Sequence, residues 1–285
     1  MAKTKISWAT DVWNPVTGCT KVSDGCKNCY AERIAKRFWR NGINGNNYRP
    51  FTEVRCYPDR LEQPLHWKKP ARIFVDSMGD LFHEKVRHSF ISQVFWIMEM
   101  APKHIFIVLT KRSKRMHEWM NNCYPTPLPN VWLGVSVEDQ KTADERIPWL
   151  LKTPAAVRIV SVEPMLGKVD VSKYLWPVFW HWDGNFRNPE EALAAGAYAE
   201  QKPQGLISVD RKFIDWIICG CESGPEARSM ELDWARNLRD QCRAAEVPFF
   251  LKQANIDGKL VKMPAIDGEI WDKYPIIDNN YIENR

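Results

Sequence analysis

The sequence predicts an α/β protein, a partial or full TIM-type (β/α) barrel of six to seven parallel strands, with a doubly wound open sheet as the rival. Three observations predict it. Short apolar runs recur along the chain, and they are continuous rather than alternating, as in strands covered on both faces. The stretches between them carry apolar residues at helical spacing. Polar residues, several of them acidic, follow the runs, where a parallel barrel gathers its chemistry.

A first strand is expected near Ile6–Trp13, and a helix that Cys29 opens and that runs through Tyr30–Arg40. The apolar runs follow as Arg72–Asp76, His104–Thr110, Val131–Ser136, Val157–Val162, Asp215–Gly220 and Val247–Leu251. Phe90, Val94, Ile97, Met98 and Ala101 form one helical stripe; Leu232, Ala235, Leu238, Cys242 and Ala245 form another. Residues 172–211 break the rhythm and read as an insertion after the fifth or sixth strand, with Trp176, Trp180 and Trp182. Asn188 is suited to cap a helix there, with Pro189 at its first position. The insertion reads either as a lid or substrate-facing subdomain, or as an addition with no part in binding. The tail after Gln253 is rich in Pro, Gly and Asp and lacks long periodicity, so residues 1–285 read as a single domain.

A hydrophobic content of 45% and a charged content of 26% are ordinary for a globular chain with a core. No apolar stretch reaches the length of a membrane span and no secretory signal is visible, which points to the cytoplasm. Eight cysteines are too sparse for a secreted disulfide scaffold, so thiols or metal ligands in a reducing compartment are the better reading. Charge is uneven. Residues 1–72 carry 14 Lys and Arg against 6 Asp and Glu, while the remainder carries 26 against 29. Tyr30, Phe38, Trp39, Tyr48, Phe51, Tyr57 and Trp67 are interleaved with that positive charge. Basic side chains attract phosphates and aromatic faces stack on bases, so the segment suits a nucleic acid or nucleotide. A solvated basic face over ordinary core aromatics is the simpler alternative.

Cys19, Cys26 and Cys29 stand on one short loop. Three thiolates can hold three irons of a cubane [4Fe-4S] cluster and leave the fourth iron open to an outside molecule, whereas electron-transfer clusters take four cysteines. Zinc would need a fourth ligand, and His66, His83 and Cys56 are not at the spacing of zinc modules. Gly18 and Gly25 permit the tight turns such a loop needs, and a helix starting at Cys29 would favour negative charge on sulfur. Lys111, Arg112, Arg228 and Lys252 also sit at strand ends, suited either to phosphate or carboxylate or to pairing with neighbouring acids. Cys219 and Cys221 are two apart on one strand and so share a face; near the cavity Cys221 could act catalytically as a hydrogen-atom donor or bind a second cluster, and otherwise both are small core residues.

These residues resemble a known family. Asp11-Val-Trp-Asn-Pro-Val-Thr-Gly-Cys19, Phe74-Val-Asp-Ser-Met-Gly-Asp80, Leu109-Thr-Lys-Arg112, Leu133-Gly-Val-Ser-Val-Glu-Asp139, Val162-Glu-Pro-Met165, Cys221-Glu-Ser-Gly-Pro225 and Phe250-Leu-Lys-Gln253 look like the bacteriophage-type three-cysteine-motif family, within or beside the radical S-adenosylmethionine enzymes. The cysteine gaps here are six and two residues, where most such enzymes have three and two, and Ala254-Asn255 stands where Trp-Gly is expected.

The resemblance implies a [4Fe-4S] cluster on Cys19, Cys26 and Cys29 that chelates S-adenosylmethionine, and a 5′-deoxyadenosyl radical that abstracts hydrogen from a substrate. It implies that Ser77, Met78, Gly79 and Asp80 meet the methionine end of the cofactor, that Ser136 and Glu138 meet the ribose, and that Glu163 serves the adenosine end or the substrate. It implies an external electron donor and a nucleic-acid or nucleotide-linked substrate, with DNA modification or isomerisation of a thymine substituent as the phage setting, in the bacterial or host-cell cytoplasm. Two other readings stand beside it: a non-enzymatic nucleic-acid-binding protein with a structural cysteine-ligated metal, and a partner subunit that carries a cluster for another chain.

Overall fold

The computed structural model describes residues 4–39, 49–175 and 213–275. Its main sheet has eight strands: β1 (Asp11–Trp13), β2 (Arg72–Val75), β3 (Ile105–Thr110), β4 (Val131–Val137), β5 (Val157–Val162), β6 (Trp216–Gly220), β7 (Phe249–Ile256) and β8 (Lys259–Lys262). They lie side by side in chain order. β1 to β7 are parallel, and β8 turns back antiparallel on β7. A doubly wound sheet reverses its strand order at a switch point, and this one does not. Among the described residues β1 and β8 do not pair, so the barrel is partial.

Helix α1 (Tyr30–Trp39) follows the cysteine loop. Then α2 (His88–Glu99) connects β2 to β3, α3 (Ser113–Cys123) β3 to β4, α4 (Gln140–Lys152) β4 to β5, and α5 (Leu232–Ala244) β6 to β7. The expected stripe on α2 is buried at Phe90, Val94, Ile97 and Met98, and that on α5 at Ala235, Leu238 and Cys242. Phe90, Val94, Ile97, Met98 and Leu238 each contribute roughly 1.5–3 kcal/mol by burial. The insertion expected at 172–211 follows β5, the fifth parallel strand; its residues 176–211, with Asn188 and Pro189, lie outside the described residues.

Strand parity splits the core into two clusters. Val131, Leu133, Val135 and Val137 of β4 join the helices on the outer face. Trp132 faces the other way, with Ile107, Ile159, Trp216, Ile218 and Phe250, and Trp8 closes that inner cluster. Trp216 meets Trp8 and Trp132 edge-on, at 6.4 and 6.0 Å between ring centroids. The hollow of the half-barrel therefore has a dry aromatic floor.

The tail is more ordered than its composition suggests. Asp257-Gly258 turns β7 into β8, and Asp267-Gly268 closes a small ribbon of Ala265–Ile266 and Glu269–Ile270. All four turn residues have positive φ, between 49° and 83°. Asp-Gly is the dipeptide that such hairpin turns select. Among the described residues no helix is long and apolar enough to cross a membrane.

Candidate active site at the strand ends

Reading inward-facing positions up the strands gives a polarity gradient. On β4 they run Trp132, Gly134, Ser136; on β5 they run Val157, Ile159, Ser161, with Ser136 opposite Ser161 across the ladder. Two residues beyond each serine comes a glutamate, Glu138 and Glu163, and β6 repeats the spacing with Gly220 and Glu222. The period of two carries all three glutamates to the inner side of the mouth. On β7 the register slips between Cys219 and Gly220, whose partners are Leu251 and Gln253. Lys252 is the extra residue of that bulge, and bulges re-aim side chains. Its ammonium pairs with Glu163.

Each glutamate has a cation. Glu138, wholly buried, accepts from Lys111 Nζ at 2.8 Å and Arg146 Nη1 at 3.0 Å. Burial alone would raise its carboxyl, but Lys111, Ser23 and Arg146 bring it below the usual carboxylate range. Its backbone is fixed from behind by Thr142, which accepts from the N–H of Glu138 and forms the capping box of α4 with Asp139. Glu222, also buried, pairs with Arg228 and accepts from Asn28 Nδ2 at 3.0 Å. Burial pushes its carboxyl up, and the Arg228 hydrogen bonds more than offset that. Pairing, not free display, is thus what the structure gives Lys111, Arg112, Arg228 and Lys252.

The cysteine loop lies across this mouth and is tied at both sides. Toward β4, Gly25 N–H donates to Glu138 Oε1 at 3.4 Å; a Cβ on Gly25 would stand 2.9 Å from Glu138 Cδ. Toward β6, Arg228 Nη2 donates to Asp24 O at 2.9 Å, and Asn28 reaches Glu222. Toward β2, Gly18 N–H donates to Met78 O at 2.9 Å, and Gly18 bridges Gly79. Gly18 has φ of 90°, and a Cβ there would lie 2.4 Å from Glu53 O. Glycine is required on both counts.

The turn Ser77–Asp80 is packed directly beneath Cys19. Ser77 Oγ and Met78 N–H both donate to Asn14 Oδ1, at 3.1 and 2.9 Å, and Tyr30 Oη donates to Ser77 O at 2.5 Å. Met78 packs with Cys19 and Cys29 against Ala31, Ala35 and Phe51. Asp80 is buried with its carboxylate committed to Thr110 Oγ1 (2.8 Å), Arg112 Nη1 (3.0 Å) and Phe82 N–H (3.0 Å). That side chain is spent on the support of Cys19, through Arg112.

The sulfurs have distinct surroundings. Arg112 Nη1 donates to Cys19 Sγ at 3.5 Å. Burial and Asp80 push the Cys19 thiol up to about 12, against the pull of Arg112. Cys26 Sγ lies 3.9 Å from Ser23 Oγ. Cys29 directly precedes α1 and packs against its Ala31 and Ala35; burial raises its thiol, and the neighbouring N–H groups of Glu32 and Ala31 only partly oppose this. Among the described residues no three His, Cys, Asp or Glu side chains converge to hold one metal ion. A cubane is wider than an ion and its ligands stand further apart. The donor set fits it: three free thiols on one loop, with an N–H donor on the Cys19 sulfur and Met78 packed against Cys19 and Cys29.

Of the two places open to Cys221, cavity or core, the structure gives the core. Cys221 shares a face with Cys219, but that face is the helix-covered one, and both belong to the outer core with Cys242. Cys221 is 1% exposed, and burial, with Glu163 nearby, pushes its thiol up to about 11. The parity that carries Gly220 and Glu222 inward turns Cys221 outward, which moves it from the cavity into apolar packing. The structure adds residues that sequence reasoning did not single out: Glu222, Asn28, Ser161, and Thr20 and Glu84 around Arg112. The repeat of Ser-Val-Glu at 136–138 and 161–163 was the available signal for the inward set. A shallow groove of about 450 Å³ between Thr4 and Asp11 lies before β1, at the other end of the sheet.

No curated protein matches the chain. Among solved structures it is similar to a mutant spore photoproduct lyase, at 14% identity and a TM-score of 0.41, over 57% of this chain and 48% of that one. The chain thus spans about half the length of that protein. A family profile described as a protein of unknown function (DUF5131) matches residues 3–275, nearly the whole sequence, and the chain belongs to that family.

Proposed function

We propose that this protein is a radical S-adenosylmethionine enzyme, binding a [4Fe-4S] cluster through Cys19, Cys26 and Cys29 and acting on a nucleic-acid base or nucleotide-linked substrate. One observation carries the reading: three thiols on a single loop, laid over the strand-end mouth of a parallel half-barrel and tied to it at β2, β4 and β6. When bound, the reduced cluster supplies reductive cleavage of S-adenosylmethionine to methionine and a 5′-deoxyadenosyl radical, with the electron from an external donor.

The chain's own residues bind, orient and exclude water. Arg112 holds the sulfur of Cys19, and Cys29 packs against Ala31 and Ala35 of α1. Lys111 and Arg146 outnumber Glu138 by one charge, which suits a cofactor carboxylate beside Gly25. Ser136 and Ser161 make no side-chain hydrogen bond among the described residues, and their hydroxyls are suited to ribose. Glu163 and Lys252, each about a sixth exposed at the side chain, face the substrate side. The Trp8, Trp132 and Trp216 floor keeps water from below. The substrate class rests on the basic balance of residues 1–72; modification or isomerisation of a thymine substituent in phage DNA is its narrower form.

The test is anaerobic purification, reduction and addition of S-adenosylmethionine, with 5′-deoxyadenosine measured by chromatography. The nucleoside is expected from the wild type and absent from Cys19→Ala, Cys26→Ala and Cys29→Ala. An intact cluster without cleavage overturns the enzymatic reading. A colourless zinc protein with salt-dependent DNA binding would instead favour the binding module.

A further inference from the structure

Arg112 ends the strand-end run of β3 and is 7% exposed. Its Nε donates to both carboxylate oxygens of Glu84, at 2.8 and 2.9 Å. Its Nη2 donates to Thr20 Oγ1 at 3.0 Å and Thr20 O at 3.3 Å. Its Nη1 is shared between Asp80 Oδ2 at 3.0 Å and Cys19 Sγ at 3.5 Å. A fork with this many bonds in fixed directions cannot swing out to meet a ligand. Arg112 is therefore committed to one sulfur of the loop, through an N–H and a nearby full positive charge.

We propose that Arg112 is the positioning residue of the cysteine loop: it fixes the Cys19 sulfur and raises the reduction potential of the cluster held there. This rests on the cluster reading above. A reduced cluster is more negative than an oxidised one, so a cation and an N–H on a ligand sulfur stabilise the reduced form more. Asp80 holds the guanidinium in place from the dry side, whereas Glu84 has a side chain 64% exposed and is partly screened.

The experiment is an anaerobic redox titration of the reconstituted full chain, followed by electron paramagnetic resonance. Arg112→Gln removes the positive charge beside the Cys19 sulfur, and the midpoint is expected to fall. Glu84→Gln removes a neighbouring anion at an exposed position, and the midpoint is expected to rise by a smaller amount. A purely structural Arg112 gives no such pair of opposite shifts. If Arg112→Gln fails to fold or to take up a cluster, Arg112→Lys, which keeps the charge but not the fixed fork, takes its place, and a smaller fall is expected. Unmoved midpoints at equal cluster content, or shifts of one sign, overturn the proposal and leave the cluster reading standing. A wild-type chain that takes up no cluster overturns both.

Discussion

Arg112 holds the start of the cysteine loop and Arg228 its middle, and they differ in burial, in partners and in what they touch. The Arg112 side chain is 5% exposed and pairs with an equally buried Asp80. That of Arg228 is 31% exposed and pairs with a buried Glu222, which also has Asn28 and the Arg228 backbone N–H as donors. Arg112 touches a sulfur; Arg228 touches only the backbone oxygen of Asp24. Without Arg112, Asp80 keeps only neutral donors, Thr110 Oγ1 and Phe82 N–H, at a site where both side chains are dry; without Arg228, water reaches the place its guanidinium leaves.

The largest contrast should come from cutting each clamp. Arg112→Ala leaves Asp80 buried without its cation and is expected to cost about 3–5 kcal/mol. Arg228→Ala leaves Glu222 two other donors and is expected to cost about 1 kcal/mol. Urea unfolding of both variants checks the difference, and equal losses would erase the distinction between a dry clamp and a wet one.

Backbone geometry gives a second contrast inside the same loop. Gly18→Ala meets a main-chain carbonyl that cannot move aside, in a backbone region that L residues rarely adopt. It is expected to cost about 1–3 kcal/mol. Gly25→Ala meets the end of Glu138, a side chain held by Lys111 and Arg146. Gly25→Ala should therefore disturb the Glu138 pairing with a smaller loss of stability. Thermal melts of the two rank them, and a reversed order would mean that the Glu138 cluster is stiffer than the chain beneath it.

The same division explains what the sequence made legible. Apolar runs located the strands β2 to β6 to within a residue at either end, because both faces of those strands are covered and mostly apolar side chains serve there, whereas β7 continues five residues past the run that ended at Leu251. At Ile6–Trp13 the run begins in a turn and only Asp11–Trp13 pairs, so the first strand is shorter than its apolar pattern. β8 escaped because its four residues are exposed and carry no core signal, although Asp257-Gly258 announced the turn. The cysteine loop was legible from spacing. Its clamps were not, since the pairs Asp80–Arg112 and Glu222–Asn28 join residues 32 and 194 positions apart, which no local pattern connects.

The inner and outer faces of β6 supply a third contrast, in chemistry rather than in size. Cys221 lies in the outer core, so Cys221→Ala should cost roughly 1 kcal/mol for one buried sulfur and leave 5′-deoxyadenosine formation intact. A fully folded variant that cleaves cofactor but makes no final product would return Cys221 to the reaction.

The smallest expected effect concerns a group that resembles Asp80 in burial and differs from it in partners. Asp76 ends β2, is 4% exposed, and has a single donor on Oδ1, the Val16 N–H at 2.8 Å, while Oδ2 is buried without a partner. Burial therefore raises its carboxyl well above the usual range; the Val16 N–H only partly opposes this, and nearby Asp80 adds to it. The unfolded chain releases this proton near the ordinary aspartate value of about 4, while the folded chain retains it. Folding then binds a proton, so this group lowers stability progressively as pH rises above about 4, until the folded carboxyl itself ionises. Asp76→Asn keeps an acceptor for Val16 N–H, tolerates the φ of 56° at this position, and has no charge to bury. Its stability relative to wild type should therefore improve between pH 4 and pH 8, as read from urea midpoints at both ends. A difference that does not change with pH would mean that Asp76 finds a partner for its charge, as Asp80 does in Arg112.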